Sequence, residues 1–308
     1  MRSIANMLNL ERLRVLHSIA AYGSVTAAAD VLHVSTSAIS QQMDKLEREV
    51  GQQLLERSGR GVRLTGAAER LASHAEQMLS LAERAEADLE AYRGTVSGRL
   101  TLGTFATAAR GLVAPAMRNF RLAHPQLRVG LEEIEPHVAL PRVTRGDLDL
   151  AIVQDWFNEP ITVPDSLTRV ALLDDVADVA VPEKHPLAAR GIVDFKDLDG
   201  EAWITWSDGW ICTGWLRDTI RAYGIEPDIS CMAAEHQTQL ALVSAGLGIA
   251  IIPRLGRDPV PAGIRFVEIR PRLVRHIYAV WRTNASRRPS IRAVVDGLRQ
   301  FSHASTGT

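Results

Sequence analysis

Apolar and polar positions along this chain repeat with changing periods, and each period predicts a different element. Near the N-terminus the spacing is helical. Leu10, Leu13, Val15, Leu16 and Ile19 form one apolar stripe, because steps of three and four bring residues to one face of a helix. Ala27, Ala28, Val31 and Leu32 form a second stripe, opened by Ser24. Ala38, Ile39, Met43 and Leu46, with Val50 just beyond, form a third, opened by Ser35. A serine ahead of such a run is a capping signal, since its hydroxyl accepts a free backbone N–H. His33-Val34-Ser35 leaves room only for a sharp corner, so the second and third helices make a helix-turn-helix. The small side chains of Ala27, Ala28 and Ala29 let these helices cross closely. After Gly51 the run LLERSGRGVRLT predicts a hairpin, or wing, that displays Arg57, Arg60 and Arg63 around Gly59 and Gly61. The plain alternative is a basic solvated turn.

From Gly66 to about Tyr92 the period is helical again, with a narrow stripe of Leu71, Ala75, Met78, Ala82, Ala85, Leu89 and Tyr92. Steps of four and three flanked by Arg, Glu and Asp describe a coiled-coil seam. The same helix of a second copy is the favoured partner, and the chain's own C-terminal domain is the alternative. Gly94 and Gly98 break the helix. Beyond Arg99, strands at 100–103, 127–134 and 148–153 alternate with helices over 107–123 and 136–146. A second lobe begins near Leu172, with DVADVAVP, AWITW, a helix over 213–223, ISCMAA, a helix over 237–246, and GIAIIP. The chain is expected to re-enter the first lobe through IRFVEI and RHIYAVWR and to finish in a helix over 288–302. Such alternation predicts parallel sheets with crossover helices. The expected organisation is an all-α winged helix-turn-helix over 1–65, a linker and dimerisation helix over 66–93, and a two-lobed α/β domain over 94–308. Lobe I takes about 99–171 and 264–308, and lobe II about 172–263.

These elements place the candidate chemistry. The outer face of the third helix carries Ser35, Thr36, Ser37, Ser40, Gln41, Gln42 and Lys45, all able to meet base edges or phosphates in a major groove. Lys45, Arg57 and Arg63 are the phosphate holders. A two-lobed sheet domain binds its ligand between the lobes, beyond the carboxyl ends of the strands. Thr104, Phe105 and Thr107, then Thr205, Trp206 and Ser207, then His236 and Thr238 converge there, with Gln154 and Asp155 as secondary candidates. Thr107, Ser207 and Thr238 serve equally well as helix caps, and His236 as a structural residue. Trp203 and Trp215 read as core; Trp206 and Trp210 read as an aromatic wall for a planar ligand.

Composition changes the picture little. A formal charge of -1 over 308 residues does not itself suggest a nucleic-acid partner, but the local patch decides that. Two cysteines, Cys212 and Cys231, make neither a disulfide framework nor a metal cluster, which fits a reducing cytoplasm. Cys212 near a helix start leaves a redox role open. No apolar run spans a bilayer and the N-terminus lacks a signal-peptide core, so no membrane association is expected. A nucleotide loop, a Cys/His metal spacing and a G-x-S-x-G elbow are all lacking, so neither catalysis nor a metal is expected.

In order and spacing, LNLERLRVLHSIAAYGSVTAAADVLHVSTSAISQQMDKLEREVGQQLLERSGRGVRLTGAAERL resembles the LysR-type transcriptional regulators. HPQLRV, GDLDLAI, EKHPLA and LALVSAGLGIAIIP extend the resemblance over the C-terminal region with less specific motifs. The resemblance implies a winged helix-turn-helix, a dimerising linker and a periplasmic-binding-protein-like effector domain. It further implies a homodimer or homotetramer on double-stranded promoter DNA, contact with RNA polymerase, and no cofactor beyond a small-molecule co-inducer such as a carboxylate, with the planar aromatic that the Trp206–Trp210 wall suits as the alternative. The chain departs from the common pattern at Thr36-Ser37, where Gln-Pro is frequent, and at Gln41, where Arg is frequent. Those changes bear on the operator sequence. The competing function is an architectural, nucleoid-type DNA-binding protein whose α/β domain only oligomerises.

Overall fold

The computed structural model describes residues 8–306 except 33, 59–60 and 208–210. Arg60 and Trp210, and the side chain of Arg57, lie outside what is described. Two compact units divide the chain, the first running to Thr95 and the second holding most of the rest.

In the first unit, α1 (Leu10–Tyr22), α2 (Val25–Leu32) and α3 (Thr36–Val50) enclose Leu13, Leu16, Ile19, Ala28, Ala29, Ile39, Met43 and Leu46. Each helix starts at a side-chain cap, two of them the serines expected from the sequence. Asn9 Oδ1 accepts from Arg12 N at 3.2 Å, Ser24 Oγ from Ala27 N at 3.1 Å and Ser35 Oγ from Ala38 N at 3.2 Å. α3 stops at Gly51, whose φ of 69° is a left-handed conformation that a Cβ disfavours by about 1 kcal/mol or more. The wing follows as β1 (Leu55–Ser58) and β2 (Gly61–Leu64), antiparallel, with Leu55 opposite Leu64 and Glu56 opposite Arg63.

α4 (Gly66–Arg93) is one continuous helix capped by Thr65. Its stripe does not form a single seam. Ala68, Ala72 and Ala75 are buried in the core of the first unit, and Leu71 and Met78 pack against that core. The small residues accommodate α1 of the same chain, which lies against α4. Ala75 is therefore enclosed by its own fold and has no surface left for a second copy. Ala82 is half-buried, and Ala85 and Leu89 are exposed along with Leu81 and Tyr92.

The second unit begins with β3 (Gly98–Thr104), a short helix α5 (Ala106–Ala108), a π-helical turn at Ala109–Val113, α6 (Ala114–Ala123), β4 (Leu127–Glu133), α7 (Pro136–Arg145) and β5 (Leu150–Trp156). The 16-residue strand β6 (Leu167–Pro182) then crosses into the second lobe. That lobe contains β7 (Ile192–Asp194), β8 (Ala202–Thr205), α8 (Ile211–Arg221), β9 (Asp228–Met232), α9 (His236–Ser244), β10 (Ala250–Pro253) and β11 (Ile264–Arg270). β12 (Leu273–Arg282) returns to the first lobe, and α10 (Pro289–Thr306) closes the chain.

One sheet runs β4-β3-β5-β12-β6-β11-β7, with β10 also paired to β6. β3, β4 and β5 are parallel, as their crossover helices require. β12 runs antiparallel to both β5 and β6, so the sheet is mixed where the two crossing strands lie. β11 pairs with β6 and β7 and buries Val267 and Ile269 in the second-lobe core. Residues 264–270 thus belong to the second lobe, not to the first as their sequence position suggested. β6 alternates cleanly: Ala177, Val179 and Val181 join the cluster under α8, while Ala180 joins Leu240 and Val243 of α9 on the other face. Trp203 and Trp215 are core, as expected, and Trp206 is core with them.

Candidate functional site

Two groups of residues stand out, one in each unit. In the first, Ile39, Met43 and Leu46 anchor α3 from behind, leaving Ser35, Thr36, Ser37, Ser40, Gln41 and Lys45 exposed. Ser35 Oγ and Ser37 Oγ lie 2.8 Å apart, and Ser40 Oγ donates to the Thr36 carbonyl at 3.0 Å. Gln42 is half-buried and accepts from Arg12 Nε at 3.4 Å, so its amide oxygen is already engaged within the unit. Arg63 in the wing is exposed but pairs with its cross-strand neighbour Glu56 at 2.5 Å. A contact that the sequence did not suggest ties wing to helix. Glu47 Oε1 accepts from Leu54 N at 2.7 Å and from Leu55 N at 3.0 Å. One carboxylate on α3 thereby fixes where the hairpin starts.

The second group lies between the lobes of the second unit. Its centre is Arg275, which is 1% exposed. In register, Arg275 of β12 faces Asp175 of β6 on one side and Trp156 of β5 on the other. Cross-strand neighbours interact directly and diagonal ones remain within reach of a long side chain. Accordingly Arg275 Nε donates to Asp175 Oδ2 at 2.7 Å, and Nη1 donates to the diagonal Gln154 Oε1 at 2.5 Å. Nη2 donates to Thr107 Oγ1 at 2.8 Å. The other Asp175 oxygen accepts from Leu255 N at 3.0 Å. Thr107 is thus a buried partner of arginine rather than a cap, and the Arg275 guanidinium also lies over the Phe105 ring at 5.3 Å.

Titratable groups nearby are strongly perturbed. Burial, with Glu133 close by, pushes the Glu135 carboxyl up to about 7 against the pull of Arg275. Burial pushes the His236 imidazole down to about 3, and Arg275 and Arg110 add to the fall. His236 is therefore neutral at physiological pH, with its ring edge against Trp206 at 5.5 Å. Burial pushes the Cys212 thiol up to about 11, although Gln154 Nε2 donates to its sulfur at 3.8 Å. Cys212 and Cys231 are both free thiols.

The lobes are joined on both flanks of this group. On one side Trp156 stacks on Trp215 of α8 at 3.6 Å, and Trp215 Nε1 donates to Asn158 Oδ1 at 2.8 Å. Asn158 Nδ2 in turn donates to Thr219 Oγ1 at 3.0 Å. On the other side Arg110, in the π-helical turn, donates to the Gly256 carbonyl at 3.1 Å and pairs with Glu235 at 3.1 Å. Gly256 has a φ of 66°, and a Cβ there would collide with the Thr107 carbonyl. The close approach of the two lobes at this point needs glycine.

Of the residues read from sequence, Thr104, Phe105, Thr107, Thr205, Trp206 and His236 are buried in this region and Ser207 is half-buried. Thr238 is not among them. It is exposed on α9, where its N–H is capped by Glu235 at 3.0 Å. Of the secondary candidates Gln154 belongs to the centre, whereas Asp155 accepts from Ile161 N at 3.0 Å. The pairing Trp206–Trp210 as a ligand wall is not supported by Trp206, which packs into the core. Arg275, Asp175, Arg110, Glu135 and Gln239 escaped sequence reasoning. The first two left a signal: in LVRHIYAVWR and LLDDVADVAVP, Arg275 and Asp175 occupy the buried phase of a two-residue alternation. Among the described residues, no group of three His, Cys, Asp or Glu is placed to hold a metal ion, and no helix is long and apolar enough to cross a membrane.

Comparison with known proteins places both regions. Residues 10–69 match the family model of bacterial regulatory helix-turn-helix proteins of the lysR family, and residues 93–302 match the LysR substrate binding domain. The DNA-binding transcriptional dual regulator OxyR of Escherichia coli strain K12 is 29% identical over 302 residues, covering 95% of each chain. A hydrogen peroxide-inducible genes activator of Dickeya chrysanthemi is 29% identical over 304 residues, covering 95% of each. Among solved structures, a full-length OxyR variant from Pseudomonas aeruginosa is similar with a TM-score of 0.72 at 24% identity, covering 96% of each chain. Full-length CbnR complexed with its target DNA is similar with a TM-score of 0.54 at 24% identity, covering 96% of this chain and all of the other.

Proposed function

Because the chain belongs to the LysR family of bacterial transcriptional regulators, which are DNA-binding regulators rather than enzymes, we propose the following division of labour among its residues. Thr36, Ser37, Ser40 and Gln41 read base edges in a major groove, Ser35 and Gln42 position the helix, and Lys45, Arg57 and Arg63 hold phosphates. The observation that carries this reading is the exposed polar face of α3 on a fully packed core, beside a wing tied to it by Glu47. Oligomers of this chain, dimers or tetramers, present two such helices to a pseudo-palindromic promoter site and contact RNA polymerase there, in the cytoplasm. The exposed part of the α4 stripe, Ala85 and Leu89 with Leu81 and Tyr92, suits the pairing of two copies better than its buried first half.

The effector lodges between the lobes, among Thr107, Thr205, His236, Gln154 and Arg275, and shifts the angle set by the two flanking joints. Peroxide sensing through Cys212 fits poorly. The relative from Dickeya chrysanthemi is a peroxide-inducible activator, but a thiol needs its thiolate to react, and Cys212 is pushed up to about 11. Sequencing of genomic fragments captured by the purified protein tests the DNA reading. A few sharp sites sharing a two-fold motif are expected. Motif-free recovery, as an architectural protein gives, contradicts it.

A further inference from the structure

The polar atoms left over between the lobes define what kind of molecule can sit there. Thr205 and Gln239 are fully buried and His236 is 8% exposed, yet Thr205 Oγ1, Gln239 Oε1 and His236 Nε2 have no hydrogen-bond partner. Arg110 Nη2 is a further buried donor without one. Such orphans are rare in folded proteins, and each costs stability until something meets it. The residues that carry these atoms are linked to one another through Ala233 and Glu235. The Ala233 N–H donates to the Thr205 carbonyl at 2.8 Å, and the Ala233 carbonyl accepts from Gln239 Nε2 at 2.8 Å. That second bond fixes the Gln239 amide so that its oxygen, a pure acceptor, is the free end. His236 opens the same helix, next to Glu235, which pairs with Arg110.

The charges of the region are already matched. Arg275 is paired with Asp175 at 2.7 Å and Arg110 with Glu235 at 3.1 Å. His236 is neutral, and the Glu135 carboxyl, half-buried beside the site, can only add negative charge. An incoming carboxylate would meet no uncompensated cation, and it would bring no donor for Gln239 Oε1.

Resting on the interlobe reading above, we infer that the effector of this protein is uncharged and carries both a hydrogen-bond donor and an acceptor, as a primary carboxamide does, the donor meeting Gln239 Oε1 and the acceptor meeting Arg110 Nη2 or Thr205 Oγ1. This departs from the carboxylate that the family resemblance implies.

Benzamide and benzoate are isosteric probes that differ in this property alone. Titrating each into the full-length protein by calorimetry should show benzamide bound at least about tenfold more tightly, with Gln239→Leu and the isosteric Thr205→Val each weakening it by about tenfold. Circular dichroism of both variants checks that they fold, and Thr205→Val, the milder change, carries the test if Gln239→Leu does not. If benzoate binds as tightly or better and Thr205→Val weakens it, the inference on charge fails while the interlobe site stands. If neither probe binds, or if folded variants bind benzamide unchanged, the assignment of Gln239 and Thr205 to a carboxamide fails.

Discussion

Along α3, Thr36, Ser37, Ser40, Gln41 and Lys45 stand in solvent on a helix held from behind by Ile39, Met43 and Leu46. Between the lobes, Thr107 and Arg275 are shut from solvent, Gln154 is half-buried, and the three are tied to one another. On the proposed reading the first arrangement separates stability from recognition: the core sits on one side of the helix and the polar face offered to DNA on the other. The second merges them, because the groups that would meet a ligand also hold two lobes and two crossing strands together. A surface that reads DNA can therefore change residue by residue with little structural consequence. The interlobe centre cannot.

The sharpest way to break this comparison is to remove one member of the buried pair. Arg275→Met leaves Asp175 buried opposite an apolar side chain, and loss of one partner of a buried ion pair costs about 3–5 kcal/mol. Urea unfolding should show that loss. An unchanged midpoint would mean that the pair does not organise the domain. On the other side of the comparison, Gln41→Ala should leave stability within about 0.5 kcal/mol while costing about 1–3 kcal/mol in discrimination between operator sequences, measured by competition binding.

Three smaller effects sharpen the contrast. The Glu135 carboxyl is raised from 4.5 to about 7, so between those values the folded protein holds more protons than the unfolded chain. Stability from this group therefore falls as pH rises through that window. Glu135→Gln, always neutral, should melt about 4 °C higher than wild type near pH 8 and no differently near pH 4.5. Equal melting at both would show that Glu135 is solvated. In the wing, Glu47→Ala frees two backbone N–H groups and should cost about 1–2 kcal/mol. It should weaken binding to all DNA sequences alike, as read by fluorescence anisotropy. Smallest of all, Lys45→Ala should lower the salt dependence of DNA binding by about one counterion, with no change in base preference.

The same contrast explains what could be read from sequence. The helix-turn-helix was legible because its signals are local: Ser24 and Ser35 cap within three residues, and Ile39, Met43 and Leu46 repeat with the helical period. The exposed face follows by subtraction. The interlobe centre depends on pairing between distant strands. Arg275 meets Asp175 across 100 residues and Thr107 across 168, and no local pattern encodes those partners. Thr107, Thr205 and His236 stand out in the sequence because they end strands or begin helices, whereas Arg275, the partner of Thr107, carries no such local mark. The linker helix is only partly legible for a related reason. Steps of four and three at Leu71, Ala75 and Met78 describe an apolar stripe without saying which helix covers it, and α1 of the same unit does. The lobe of residues 264–270 is not legible in sequence, because an alternating strand carries no label for its partner, here β6 and β7.

The central claim is that the outward face of α3 reads a two-fold DNA site. Selecting genomic fragments in parallel with wild-type protein and with Gln41→Ala tests it most directly. The account predicts a two-fold motif for the wild type, and for the variant the same motif with preference relaxed at one symmetric pair of positions. An identical motif for both proteins, or recovery of DNA without any motif, would contradict it.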